Sequence, residues 1–233
     1  KIMNIYIRVS ENQTTISGTE RWNSYDKRMI LKKCWKSLMM NVTQEDFISI
    51  YHHNVTDKTL KWLSENCGTL HHFVKVDSLE ESFTVPLDDI KAYLKTEEDD
   101  KKLIAFLEDD YLWNSNGLKV IKEASQYWRG FITPNDTPRN YLEPKKSHVF
   151  VGHDRYWRTS SFISWNLIGS TYIFNKFITH IKNSGILQDM DKLNEILTET
   201  ECINPLPGVA THCKEGDMSP LVDWNFIMEG IKV

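Results

Sequence analysis

Apolar residues along this chain gather in short dense runs, separated by stretches in which they recur at helical spacing. Ile2 to Val9 (IMNIYIRV) is rich in β-branched and aromatic residues and predicts a buried strand. A polar segment follows, Ser10 to Ser24, long for an ordinary connection and of a kind that is often functional. From Tyr25 to Met40 the apolar positions Met29, Ile30, Cys34, Trp35 and Leu38 predict a helix. Phe47 to Tyr51 predicts a strand, Thr56 to Glu65 a helix capped by Thr56, and His72 to Val76 a third strand. Pro86 to Lys95 reads as a helix with the proline near its first turn.

Leu103 to Leu107 (LIAFL) carries no polar side chain, which suits the middle of a mostly parallel sheet covered by helices on both faces. A helix from Gly117 to Tyr127 and a strand near Gly130 to Thr133 continue the alternation, which predicts an α/β fold. Beyond Asn135 the pattern is less regular. His148 to Gly152 and Ser164 to Ile168 read as strands, Ser170 to Lys182 as a helix, and the last thirty residues as an ordered tail.

Composition narrows the picture. The chain has 233 residues, 40% hydrophobic and 12% aromatic, enough for one large domain with a real core. A formal net charge of −4, with both signs mixed, argues against a nucleic-acid binder, which needs a concentrated basic surface. Cys34, Cys67, Cys202 and Cys213 form no CxxC pair, so reduced thiols in a cytoplasmic protein are expected. No signal peptide is read, and no apolar run approaches the ~20 residues that span a bilayer.

The strand Leu103 to Leu107 runs directly into Glu108-Asp109-Asp110. In open α/β sheets ligands bind outside the carboxyl ends of the strands, so these carboxylates stand where a site is expected. Adjacent carboxylates repel, and Mg²⁺ or Mn²⁺ would compensate them. Alternation in extended backbone would turn Glu108 and Asp110 to one face and Asp109 to the other, toward a sugar hydroxyl or a basic partner. A second acidic run, Glu97 to Asp100, follows no apolar strand and reads as a solvated turn. Arg8 ends the first strand, and Arg21 and Lys27 follow in the long connection and helix start, where a nucleotide is expected. Arg155, Trp157 and Arg158 form an aromatic and cationic cluster able to meet phosphate or a sugar face.

IAFLEDDYLW resembles the DxD-type motif of GT-A glycosyltransferases, in particular a family of bacteria, phages and large algal viruses that reads LEDDY. The likeness extends to ITPNDTPRNY (Ile132 to Tyr141), GHDRYWRTSSFISW (Gly152 to Trp165) and PLPGVATHCKEGDMSPLVDW (Pro205 to Trp224), and to the opening IRVSENQ with ERWNSYDKR. The resemblance implies one GT-A-like catalytic domain. Residues 1–110 would be its nucleotide-sugar half and residues 111–233 its acceptor half and tail. It implies metal ligation by Asp110, with Glu108 or Asp109 beside it, and by His212, where such enzymes carry a late histidine. Pro205, Pro207 and Gly208 would turn the tail back, and Pro220 and Trp224 would anchor it.

The expected activity is metal-dependent transfer of a sugar from a nucleoside-diphosphate sugar, foremost a UDP-sugar, to a glycan or other hydroxyl acceptor. An inverting course needs a carboxylate base, for which Asp154 is the first candidate and Asp223 and Asp136 stand behind it. The expected location is the cytoplasm, that of the host if the protein is viral. Two other classes compete. A metal-dependent phosphohydrolase would also use clustered carboxylates, with ligands spread over more strand ends. A non-catalytic carbohydrate-binding module would explain the aromatics but not the acidic strand end.

Overall fold

The apolar run from Leu103 to Leu107 has no exposed surface, because helices cover both faces of the sheet that it centres. In the computed structural model, which describes residues 1–11, 25–142, 147–152, 154–187 and 189–233, the first half alternates strand and helix. β1 (Met3–Ser10), α1 (Lys27–Met39), β2 (Phe47–His53), α2 (Asp57–Glu65), β3 (Leu70–Lys75), α3 (Leu79–Leu94) and β4 (Leu103–Glu108) follow in turn. The second half holds β5 (Tyr111–Trp113), α4 (Gly117–Ala124), β6 (Phe131–Ile132), α5 (Arg139–Leu142), β7 (Val149–Val151), β8 (Tyr156–Thr159) and β9 (Leu167–Ser170). It ends in α6 (Thr171–Leu187), α7 (Met190–Asn194), a 3-10 turn (Glu195–Thr198), β10 (Cys202–Leu206), β11 (Ala210–His212) and α8 (Trp224–Gly230).

Nine strands form one sheet in the order β3-β2-β1-β4-β9-β6-β10-β8-β7. From β3 to β4 every pairing is parallel. Past β4 the sheet is mixed, with β9 antiparallel to both β4 and β6. Alternate side chains of β4 serve two cores. Leu103, Ala105 and Leu107 pack with α1 and α4, whereas Ile104 and Phe106 pack with α3 and α6. The chain thus leaves β1 over one face and reaches β4 over the other, so β1 and β4 are neighbours at a topological switch point. Their carboxyl ends diverge there and open a crevice.

Local chemistry explains the element ends. Asp26 and Thr56 cap α1 and α2 by accepting from Met29 N and Thr59 N. The helix expected from Pro86 begins earlier, at Leu79, because Ser78 Oγ accepts from Glu81 N at 3.0 Å and Glu81 accepts in turn from Asp77 N at 2.8 Å. Pro86 lies inside this helix and is buried. Two further expectations shift. The strand read at Ser164 to Ile168 is Leu167–Ser170, and the helix read to Tyr127 ends at Ala124.

The tail returns to the crevice through a separate two-stranded ladder. β11 runs antiparallel to β5, with His212 opposite Tyr111 and Ala210 opposite Trp113. Cys213 N donates to Asp110 O at 2.9 Å and extends the pairing by one bond. Buried Trp224 anchors α8 and donates from Nε1 to Ser219 O at 2.7 Å. Lys33 of α1 caps the other end of α8, donating to the carbonyls of Met228 and Ile231 at 2.7 and 3.0 Å. Among the described residues no helix is long and apolar enough to cross a membrane.

Candidate active site

At the carboxyl ends of β1 and β4 lies a cavity of about 450 Å³. Each of the three carboxylates at the end of β4 meets a cation of the protein itself. Glu108 Oε1 accepts from Arg8 Nη1 at 3.1 Å, across the register pair Arg8 and Glu108 of adjacent strands. Asp109 accepts from Lys27 Nζ through one oxygen and from Ser10 N at 2.8 Å through the other. Asp110 Oδ2 stands 3.6 Å from His212 Nε2 and 3.7 Å from Lys27 Nζ. The basic partner expected for Asp109 is therefore Lys27, the first residue of α1.

Second contacts hold these cations in place. The Arg8 guanidinium also donates to Ser82 Oγ, from Nε at 3.3 Å and Nη2 at 3.1 Å, and lies over the Phe83 ring. His212 stacks on Tyr111, ring centroids 5.0 Å apart with 5° between planes, and its Nδ1 lies 3.4 Å from Asp217 Oδ2. Lys214 Nζ approaches the same Asp217 oxygen at 3.8 Å.

The electrostatics follow from burial and close charge. Burial pushes the Glu108 carboxyl up, aided by the charge of Asp110 and opposed by Arg8. Burial likewise pushes Asp109 up, with Lys27 opposing. For His212, burial favours the neutral ring, but the Asp110 charge and the contacts to Asp110 and Asp217 outweigh it and push the group up to about 10. The hydrogen bond from His212 in turn holds Asp217 below the ordinary carboxylate range.

Two of these groups suit a divalent cation. Among the described residues no three His, Cys, Asp or Glu side chains are grouped as a ready metal site. Asp110 and His212 do converge, an oxygen and a nitrogen 3.6 Å apart. Adjacent ligands of an octahedral Mg²⁺ or Mn²⁺ at ~2.1 Å stand about 3 Å apart, so a small movement would seat the ion between them. Such ions commonly take one or two protein donors and fill the remainder with water and substrate phosphates.

The structure brings Arg8, Lys27, Glu108, Asp109, Asp110 and His212 together on one cavity wall. Arg21 lies outside the described residues. The other candidates are elsewhere. Asp154 and Arg155 pair with each other at 3.4 Å in the turn between β7 and β8 and do not line the cavity. Trp157 is buried in the core, its Nε1 without a hydrogen-bond partner among the described residues. Arg158 is buried too, and its Nε donates to Asp136 Oδ1 at 3.0 Å. Asp136, fully buried, also accepts from Tyr141 and from Asn204 at 3.1 Å, which leaves it a structural acceptor. Asp223 caps α8 through Phe226 N at 3.0 Å.

Sequence reasoning passed over several residues that do line the cavity. Lys214 and Asp217 follow His212 in HCKEGD, and that density of charge just past a candidate ligand was a usable signal. Tyr111 completes the LEDDY motif itself. Asn135, Arg139, Phe162, Ser164, Trp165 and Met190 also line the cavity, from loops and from the first residues of α5 and α7, and their spacing carries no such signal.

No family model matches this chain, and no curated protein matches its sequence. Solved structures similar to it include a galactosyltransferase, LgtC, in complex with donor and acceptor sugar analogues: 10% identity, 85% of this chain and 70% of that one covered, TM-score 0.46. A cytidylyltransferase from Leptospira borgpetersenii serovar Hardjo-bovis matches at 15% identity, 86% and 74% coverage and a TM-score of 0.45. Mouse xyloside xylosyltransferase 1 matches at 9% identity, 85% and 82% coverage and a TM-score of 0.45. Likenesses this distant carry no inference about chemistry.

Proposed function

We propose that this protein is a metal-dependent glycosyltransferase of the GT-A type, which moves a sugar from a nucleoside-diphosphate sugar, foremost a UDP-sugar, to a hydroxyl acceptor. One observation carries the reading. The strand-end carboxylates at the β1–β4 switch point are met by His212, delivered to Asp110 by the β11–β5 ladder. A nucleotide fits the crevice beside β1, where Arg8, Ser10 and Lys27 line the wall. An Mn²⁺ or Mg²⁺ held by Asp110 and His212, with Glu108 beside them, would supply positive charge to the leaving diphosphate.

The chain's own groups act around that centre. As the bond between the sugar and the diphosphate breaks, negative charge grows on the leaving oxygen, and fixed cations lower the barrier. Lys27, 3.7 Å from Asp110, and Lys214, which also lines the cavity, would share this charge. Arg8 neutralises Glu108, which keeps the carboxylate wall from repelling a diphosphate. Phe162, half-buried in the cavity lining, offers apolar surface on which a sugar ring can pack. An inverting course needs a carboxylate base, and neither Asp154 nor Asp223 lines the cavity.

Thermal-shift screening of nucleotide sugars with Mn²⁺, and again with EDTA, tests donor binding. Product analysis by NMR then gives both transfer and anomeric configuration. A protein that binds no nucleotide sugar with or without Mn²⁺ is not this enzyme. Release of phosphate from simple esters would favour the hydrolase reading instead.

A further inference from the structure

A histidine ring can offer either nitrogen to a cation, and which one it offers depends on what holds the other. His212 leaves little ambiguity. Its Nε2 faces Asp110 Oδ2 at 3.6 Å, and its Nδ1 faces Asp217 Oδ2 at 3.4 Å. Rotating the ring by half a turn would set carbon atoms against both carboxylates. The ring plane is fixed as well. Tyr111 lies parallel to it at 5.0 Å, and the register that places Tyr111 opposite His212 is set by backbone pairing.

Asp217 is itself held. Its backbone N donates to Lys214 O at 3.1 Å, closing the turn that follows β11, and Lys214 Nζ lies 3.8 Å from the carboxylate. The carboxylate thus reaches the ring nitrogen away from Asp110. An acceptor at Nδ1–H leaves the Nε2 lone pair free to ligate and raises its donor strength.

We propose that Asp217 is a positioning residue, which with Tyr111 presents His212 Nε2 to a divalent cation bound against Asp110. This rests on the reading of Asp110 and His212 as the cation-binding pair. Asp217 acts through the imidazole and not as a ligand.

The experiment measures Mn²⁺ binding to the whole chain from the electron paramagnetic resonance of the free ion. Wild type, His212→Ala, Asp217→Asn and Asp217→Glu are compared, with melting temperatures taken without metal. Asp217→Asn is expected to weaken Mn²⁺ about 10- to 100-fold at a near wild-type melting temperature, and Asp217→Glu to recover part of the loss. Co²⁺-loaded wild type is expected to show a hyperfine-shifted, slowly exchanging imidazole N–H proton, broadened away in Asp217→Asn. The proposal is overturned if Asp217→Asn binds Mn²⁺ like wild type while His212→Ala does not, or if wild type shows no protected imidazole proton. Equal binding by wild type and His212→Ala would remove the cation pair itself, and the proposal with it.

Discussion

Asp110 and His212 stand 3.6 Å apart although one ends the first half of the chain and the other belongs to its tail. Neither the sheet nor the helices join them. A three-residue ladder, β11 on β5, does so, and Cys213 N locks it to Asp110 O. The proposed cation pair is therefore assembled only where the tail docks on β5.

Replacing Asp110 by alanine should abolish Mn²⁺-dependent binding of the nucleotide sugar and leave metal-free stability within about 1 kcal/mol of wild type. Asp110 adds repulsion to Glu108 and Asp109, pushing both carboxyls up, so its removal relieves two neighbours while depriving His212 of one. Thermal shift with and without Mn²⁺ reads both quantities. A large fall in melting temperature with donor binding intact would assign Asp110 to structure.

Lys27 should behave in the opposite way. Its side chain and that of Asp109 are 6% and 8% exposed, so Lys27→Met leaves a buried carboxylate without its partner. Such a break costs about 3–5 kcal/mol, whereas removing both charges is often neutral. Urea unfolding of Lys27→Met and of Lys27→Met with Asp109→Leu measures the difference. If the double variant is no more stable than the single one, the pair is not what holds α1 to the acidic turn.

These residues show what a sequence can reveal of such a site. The run LIAFL could only be a buried central strand, and the acidic triplet at its end was legible because strand ends are where α/β sheets bind. Charge pairing was not legible. Arg8 and Lys27 sit beside carboxylates, and so does Arg158, but the partner of Arg158 is buried Asp136, which reaches it through folding of the β6 to β8 region. A dense stretch such as Arg155 to Arg158 looks the same whether its arginines await a phosphate or already hold an acid. Pro86 suggests a first turn, but the capping pair Ser78 and Glu81 is the better marker of where α3 starts.

Arg158 accordingly offers a test that separates structure from function. Arg158→Met removes the strongest cation from Asp136, which has no exposed surface, and should cost about 3–5 kcal/mol. Tyr141 and Asn204 still donate to the carboxylate, so the chain should fold at low temperature. Calorimetric titration of the folded variant should give a donor affinity close to wild type. A lost affinity in well-folded protein would return Arg158 to the ligand site.

The pH dependence of the metal-free protein should carry the signature of His212. Its folded pKa is pushed up to about 10, because Asp110 and Asp217 favour the imidazolium more than burial opposes it. The unfolded histidine titrates near 6.5. A group raised in the folded state binds a proton there that the unfolded chain has released, so stability falls as pH rises between the two values. The contribution is fully present below about 6.5 and is lost as pH passes through about 10. Urea unfolding of wild type at several pH values across this window should therefore show a decline that His212→Gln lacks. Mn²⁺ should reverse it, because a cation ligated by neutral imidazole displaces the proton, and its affinity should rise over the same range. Parallel stability curves for wild type and His212→Gln from pH 6 to 10 would show that the two carboxylates do not hold a proton on this ring. The contacts to Asp110 and Asp217 would then be contacts of a neutral histidine.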